Sequence, residues 1–365
     1  MMTRKEFLEE VRKMANLQDL KQADDATRAV ISLTKLIIGP KLSQKIAQIS
    51  PPDLREGWES IKAAFPKRAI KIITGPGGED ADLRRIASHV HKYLGVDVLV
   101  ENIAGFWGKN PFEEFQMTVP DGHTLICYTF PKSIIVEIMS ETNFRTKDFT
   151  PIFAWSVGNQ LLVVPPDTYK TFDEFLKEAK AKTLVGAIPV IGGTSHLAGL
   201  LLADGLGINV SWMPCEGSAS SIAALARKDA DFTVCISTAL PSWIRSGKVR
   251  PLTVLSDWRG PRGPHFLEIP TLKELGYDII HVTIRHVVEA PPNTPPQIVR
   301  ILEEAFSKAV KEPAYTEWAM ENHVVIDPLG AKEFYREVAE TYPRIEKVKD
   351  VLRGSSIRLR NRFDQ

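Results

Sequence analysis

The sequence predicts an α/β protein of two lobes behind a helical N-terminal extension, and three observations predict it. Its 365 residues are long for one compact core and fit two domains with an appendage. From Pro66 onward, short apolar runs alternate with segments of helical periodicity, the pattern of largely parallel sheets covered by helices on both faces. Two of the strand-to-helix connections are glycine-rich, and ligands in such sheets bind where those connections lie, at the carboxyl ends of strands.

Residues 1–65 read as several helices, with breaks at Pro40 and Pro51-Pro52, the second opening a helix toward Trp58, Ile61 and Phe65. Strands are expected at 69–74, 96–101, 123–129, 160–164, 184–188, 209–213, 231–236, 250–255 and 279–288. Helices are expected at 79–94, 171–181, 195–206, 217–228, 295–310, 313–321 and 330–351. Pro165-Pro166 and the run Pro291 to Pro296 punctuate the chain. If the polypeptide crosses between lobes near both, residues 165–285 form an inserted lobe and residues 66–164 with 286–365 form the other.

Hydrophobic content of 44% and charged content of 25% are those of an ordinary globular protein. A formal charge of +1 offers no general attraction to nucleic acid or to an anionic membrane. The basic stretch Arg353, Arg358, Arg360 and Arg362 reads as a solvated, frayed terminus. No apolar run is long enough to span a bilayer, and Met1 to Lys13 lack the basic, apolar, small-residue order of an export signal. Taken literally, the chain is expected in the cytoplasm. Cys127, Cys215 and Cys235 show no metal-ligand spacing. His89 and His91 on one helix point about 200° apart, so they cannot share a metal from one face. Neither a metal nor a cofactor is expected.

Strand 184–188 runs into Gly192-Gly193-Thr194-Ser195-His196 and then the apolar helix Leu197 to Leu206. That order aims free backbone N–H groups and the positive helix end at one point, which binds carboxylate as readily as phosphate. A second copy lies upstream, where strand Ala69–Thr74 leads into Gly75-Pro76-Gly77-Gly78-Glu79-Asp80 and a helix with Leu83, Ile86, Ala87 and Val90. Neither turn carries the Gly-Lys-Ser/Thr of a phosphate loop or a full dinucleotide spacing, so nucleotides are not expected. Two anion-seeking turns suggest a cleft that grips a small acid from both sides.

With its segments laid out, the chain resembles the substrate-binding proteins of tripartite tricarboxylate transporters, the Bug family, over roughly residues 66–350. The marks come in family order: Gly-Pro-Gly-Gly with Arg85; Val100-Glu101-Asn102 with Gly105 and Gly108; Pro120-Asp121-Gly122-His123-Thr124-Leu125; and Asp148 to Ile152. The Gly-Gly-Thr-Ser-His-Leu turn and Glu216-Gly217-Ser218 follow, then Ser246 to Leu252, Ile269 to Leu272 with Gly276-Tyr277, and Ala290-Pro291-Pro292 with Thr294-Pro295. The resemblance implies a two-lobed periplasmic-binding-protein-like (type II) fold with a hinge, closing on a small organic carboxylate without chemistry and serving transport by handing the ligand to a membrane permease. Family members are usually exported to the periplasm. By the same resemblance, Thr74, Gly77, Gly78, Glu79 and Asp80 from the first turn and Gly192, Thr194, Ser195 and His196 from the second are candidate ligand contacts. Thr129 and Ser237, at the ends of their strands, should face the same cleft.

Three departures matter. Residues 1–65 are expected to stand where the family carries its export signal, leaving a larger complex through those residues as an alternative partner. The first turn opens with Thr74-Gly75 and carries acids at Asp80 and Asp82 on either side of Ala81, where the family's acid usually sits. The stretch usually reading Pro-Tyr-basic-Gly reads Pro214-Cys215-Glu216-Gly217. Cys215 and Glu216 are therefore candidate contacts. A carboxylate at 216 facing the ligand would repel a second anionic group by about 1–4 kcal/mol, which favours a monocarboxylate or a ligand with an opposing donor. The enzyme alternative places Cys215, His196 and Glu216 in a repurposed cleft acting on a carboxylic acid, with Cys215 as nucleophile and His196 as base; the plainer account of Cys215 is a small half-buried residue in the place of tyrosine. For Thr194 and Ser195 the plainer account is helix capping, and for His196 a buried, hydrogen-bonded ring.

Overall fold

The computed structural model describes residues 3–61, 65–75, 80–103, 109–256, 268–279, 284–350 and 352–353. Two sheets organise it. In the first, β1 (Ile70–Thr74) lies parallel between β2 (Val98–Asn102) and β3 (Thr124–Phe130). β10 (Ile284–Ala290) joins β3 antiparallel, and β4 (Thr150–Gly158) and β11 (Val325–Gly330) complete the order β11-β4-β10-β3-β1-β2. In the second, β6 (Leu184–Ile188) lies parallel between β7 (Val210–Pro214) and β8 (Phe232–Ile236), and β5 (Gln160–Val164) and β9 (Arg250–Val254) extend it to β7-β6-β8-β5-β9.

The chain changes sheets within one residue. Gly158 pairs with Ile284 in the first sheet and Gln160 with Ile236 in the second, with Asn159 between them. Gly158 permits the close passage, since a Cβ there would meet Ile236 Cδ1 at 2.7 Å. The crossing thus precedes β5, not Pro165-Pro166 as the proline punctuation suggested, and the return lies between Val254 and Ile284. β4 was not expected because it is buried on both faces and shows no alternation. β11 was missed because it contains Asp327-Pro328, which an edge strand tolerates.

Helices cover both sheets. α4 (Asp80–Leu94) buries Leu83, Ile86, Ala87 and Val90, and packs beside α11 (Pro296–Ala309), whose Ile298, Leu302, Ala305, Phe306 and Ala309 form one face at helical spacing. α8 (Thr194–Leu206) lies on the second sheet through Gly199, where a Cβ would meet the Trp212 ring at 2.6 Å. α6 (Lys132–Met139) was not expected: its run Ile134-Ile135-Val136 reads as well for a strand, and eight residues are too few to establish a helical period. One apolar cluster runs from Ile126 and Phe130 through Ile134, Ile138 and Met139 to Ile188, Ile191 and Leu197, so α6 is packed between the two sheets' cores.

The N-terminal residues are helical as expected. α1 (Arg4–Met14) starts at a Thr3–Glu6 capping box, and α2 (Leu20–Ile49) kinks at Gly39, whose φ of 75° no helix supports. α3 (Pro52–Ser60) is tied back by Arg55 Nε to the Ala47 carbonyl at 2.8 Å, and by Lys35 Nζ to the carbonyl of Ile61 just beyond it at 2.6 Å. Leu36 joins the core of the first sheet and Gly39 lies against Gln297 of α11, so the extension docks on that lobe. Arg353, expected in a frayed tail, instead donates to the Ile138 carbonyl at 3.0 Å.

Candidate functional site

Each sheet has one point where its strand order reverses. β1 has β2 on one side and β3 on the other; β6 has β7 on one side and β8 on the other. Crossover helices leave opposite faces there, and the opening between them is where ligands enter α/β sheets. Both glycine turns begin at these reversals.

In the second lobe β6 ends at Ile188, and the chain folds into a turn held by its own backbone. Gly193 N–H donates to the Val190 carbonyl at 3.2 Å, and Gly217 N–H donates to the Pro189 carbonyl at 2.9 Å. Gly192, at φ 70°, donates its N–H to His196 Nδ1 at 3.1 Å. α8 then starts from Gly193 with no side-chain cap. The N–H groups of Thr194, Ser195 and His196, in its first turn, have no partner within the helix. Ser195 is not a cap; its hydroxyl donates to Gln160 Oε1 at 2.9 Å. Gln160, the first residue after the crossing, is buried, and its Nε2 has no hydrogen-bond partner among the described residues. No sequence motif marked it. Ser237, just past β8, is buried with its N–H on the Asn159 carbonyl at 2.9 Å.

Two expected contacts take other roles. His196 is fully buried edge-on to Trp212, and burial pushes its imidazole down to about 4. The neutral ring is the acceptor that shapes the turn, and it occupies the Gly192 N–H assigned above to the ligand. Cys215 is half-buried, its Sγ 3.8 Å from the Met213 carbonyl, and burial raises its thiol above the usual value, the opposite of nucleophile activation. With His196 Nδ1 already hydrogen-bonded to Gly192 N–H, the nucleophile–base pairing has no geometric support. Glu216 is exposed, so its charge is screened.

In the first lobe Thr74 is buried at the end of β1, with its hydroxyl on the Gly75 carbonyl at 3.3 Å. Gly77, Gly78 and Glu79 lie outside the described residues, and of Asp80 only its place at the start of α4 is described. Thr129 is half-buried at the end of β3, opposite His286 of β10. Asp82, in the first turn of α4, is the missed residue here. Its carboxylate accepts from Tyr315 OH at 2.6 Å, Trp155 Nε1 at 2.9 Å and Ser156 Oγ at 3.3 Å, and lies 2.6 Å from His286 Nδ1. A carboxyl-bearing residue just inside a helix is a visible signal, but its partners come from three distant elements.

α6 joins the two turns. Lys132, at its start, places Nζ 3.6 Å from where a Cβ of Gly75 would stand, and Met139, at its end, places Sδ 3.4 Å from the same point of Gly192. Eight helical residues span about 10 Å, so one short helix reaches both turns through the side chains at its two ends.

Over residues 83–351 the chain matches the tripartite tricarboxylate transporter family receptor, TctC. It is 32% identical over 294 residues, 79% of this chain and 88% of the relative, to a UPF0065 protein from the gbd 5′ region of Cupriavidus necator. A ligand-free TctC solute-binding protein from Polaromonas superposes with a TM-score of 0.64 at 25% identity, over 78% of this chain and 100% of that one. MatC of Rhodopseudomonas palustris, solved with malate, shares the fold at 22% identity and a TM-score of 0.66, over 79% of this chain and all of its own. A second R. palustris protein, solved with adipate, does so at 22% and 0.69, over 79% and 98%. The cytoplasmic expectation is corrected by this kinship, because receptors of this kind, such as the periplasmic binding protein BugD, work in the periplasm. The chain belongs to the tripartite tricarboxylate transporter receptor family, the TctC or Bug solute-binding proteins.

Proposed function

We propose that the openings at the two strand-order reversals form one cleft that captures a small organic carboxylate for transport, with Ser195, Thr194 and Ser237 on one side and Thr74, Thr129 and the first turn on the other. The observation that carries this is the bare first turn of α8, directed to the opening from which α6 leads to Gly75. Such a turn stabilises an anion by partial positive charge and unpaired N–H groups. The malate and adipate held by neighbours of the same fold support a carboxylate as the cargo. In this reading residues 66–158 and 284–350 act as one lobe and 160–254 as the other, with Asn159 in the hinge, and a membrane permease receives the ligand.

Binding to both lobes stabilises the folded, closed form by mass action. The test is thermal unfolding and calorimetry with malate, succinate, adipate and benzoate beside their uncharged amides. Saturable stabilisation by at least one acid and none by the amides is expected. Indifference to every acid would overturn the carboxylate reading.

A further inference from the structure

We propose that Lys132 is a specificity-determining residue whose ammonium pairs with a second carboxylate of the ligand, so that this protein selects diacids over monoacids; this rests on the carboxylate reading above. Lys132 follows β3 directly and opens α6. Because β1 and β3 are parallel neighbours, the ends of both strands lie at one edge of the sheet, at the reversal of its order. The side chain turns toward β1, so that Nζ lies against buried Gly75. Gly75 itself presents no side chain to block access, and Pro111 lines the other flank.

The groups around this ammonium leave it available. Thr74 Oγ1 is turned to the Gly75 carbonyl and Ser133 Oγ donates to Tyr128 OH at 3.0 Å. The nearest acid along α6, Glu137, accepts from Thr146 N–H, Arg145 and Tyr342. Among the described residues no carboxylate pairs with Lys132. A half-buried cation without a counter-ion at a ligand-binding edge attracts an anion more strongly than a surface lysine does, because less water screens it.

The second lobe supplies the other positive end, the first turn of α8. α6 rises about 10 Å from Lys132 to Met139, whose Sδ reaches the turn before α8. One carboxylate at each end satisfies both; a monoacid leaves the ammonium unpaired in a closed cleft, which is costly. Glu216 is exposed, so water screens its repulsion of a second anionic group.

The experiment is calorimetry of wild type, Lys132→Met and Lys132→Arg with malate, succinate and adipate, each beside its monoamide, at low and high salt. Wild type should prefer the best diacid over its monoamide by about 10- to 100-fold, the range of a charge-assisted hydrogen bond. Lys132→Met should lose that preference while binding the monoamide at least as tightly as wild type does, since no ammonium is then left unpaired; Lys132→Arg should keep most of it. The preference should shrink with salt. If Lys132→Met keeps the preference, or wild type never shows it while binding acids, the Lys132 proposal falls and the carboxylate reading stands. If wild type binds no acid of either kind, both fall. An unchanged melting temperature for Lys132→Met separates lost affinity from lost fold.

Discussion

His286 Nδ1 lies 2.6 Å from a carboxylate oxygen of Asp82, far from solvent, where Tyr315, Trp155 and Ser156 complete the hydrogen bonding of that acid. One carboxylate in the first turn of α4 is thereby tied to β10, to β4 and to α12 (Pro313–Glu321), and the helix start behind the first glycine turn cannot shift independently of the sheet. Burial alone would push the acid up, but the bonds and charge of His286, with Tyr315 and Trp155, outweigh it and hold the carboxyl below its ordinary value. The folded state therefore binds this proton less readily than the unfolded one. The stabilisation is present above the unfolded value near 4 and is lost as pH falls through the folded value. Asp82→Asn should cost roughly 2–4 kcal/mol at pH 7, and less once the pH is low enough to protonate the wild-type acid. Urea unfolding at pH 7 and below pH 4 measures both; an equal loss at each pH would show that shape, not charge, matters at this position.

Glu289 has the opposite sign. It is fully buried on β10, where only Oε2 is bonded, accepting from Tyr128 OH at 2.6 Å, while Oε1 has no partner among the described residues. Burial pushes its carboxyl up to about 8, against the smaller downward pull of Tyr128. Below the unfolded value near 4.3 both states are protonated and nothing depends on the group. Between there and about 8 the unfolded chain releases a proton that the folded one keeps, so stability declines as pH rises. Glu289→Gln copies the neutral acid and should remove the decline: little change in melting temperature at pH 5, and a gain of roughly 1–3 kcal/mol at pH 8. A variant with the same pH profile as wild type would contradict this.

The alternation of strands and helices was legible because it needs only local pattern. Nine strands, from β1 to β10 without β4, were readable from apolar runs and turn residues. What escaped lies where burial is two-sided or the partner is remote. β4 is buried on both faces and α6 is only eight residues long, and periodicity separates strand from helix only when one face is wet and the window is long enough. The two turns were visible as glycine and hydroxyl clusters. That His196 would take the Gly192 N–H, that Ser195 would turn to Gln160, and that Lys132 would reach Gly75 were not, since each depends on the crossing at Asn159 or on the neighbour order of strands. The localisation failed for a different reason: the absence of a recognisable signal was treated as information.

His196 gives the turn its shape through one acceptor, and two substitutions separate that role from simple filling of space. With its imidazole pushed down to about 4 by burial, the folded state resists a proton that the unfolded state takes up near 6.5, so stability falls as pH drops through that window. His196→Leu removes both the titration and the acceptor and leaves the buried Gly192 N–H unsatisfied, a loss of about 1–3 kcal/mol. His196→Asn keeps an oxygen near the position of Nδ1. Both should flatten the acid side of the stability profile between pH 6.5 and 4, and only the leucine variant should weaken carboxylate binding by about tenfold or more. Equal affinity in the two variants would mean that the Gly192 bond does not govern the turn.

Trp212 sets the height of α8 over its sheet, and Gly199 is where that height is sensitive. A Cβ at 199 would stand 2.6 Å from the Trp212 ring, whose other side is closed by Gly186 and Phe232, with a Cβ at 186 meeting Phe232 at 2.8 Å. Helix propensity argues for Gly199→Ala, by about 1 kcal/mol in a helix interior. Overpacking argues against it, by about 1–3 kcal/mol when the neighbours cannot yield, and an indole ring held on both sides cannot swing aside as a flexible chain would. The steric effect wins, and Gly199→Ala should lower stability by roughly 1–2 kcal/mol. Because the first turn of α8 moves with the helix, carboxylate affinity should fall with stability. Trp212→Phe in the same chain should relieve the clash and recover part of both, which unfolding and calorimetry on the double variant would register as non-additivity.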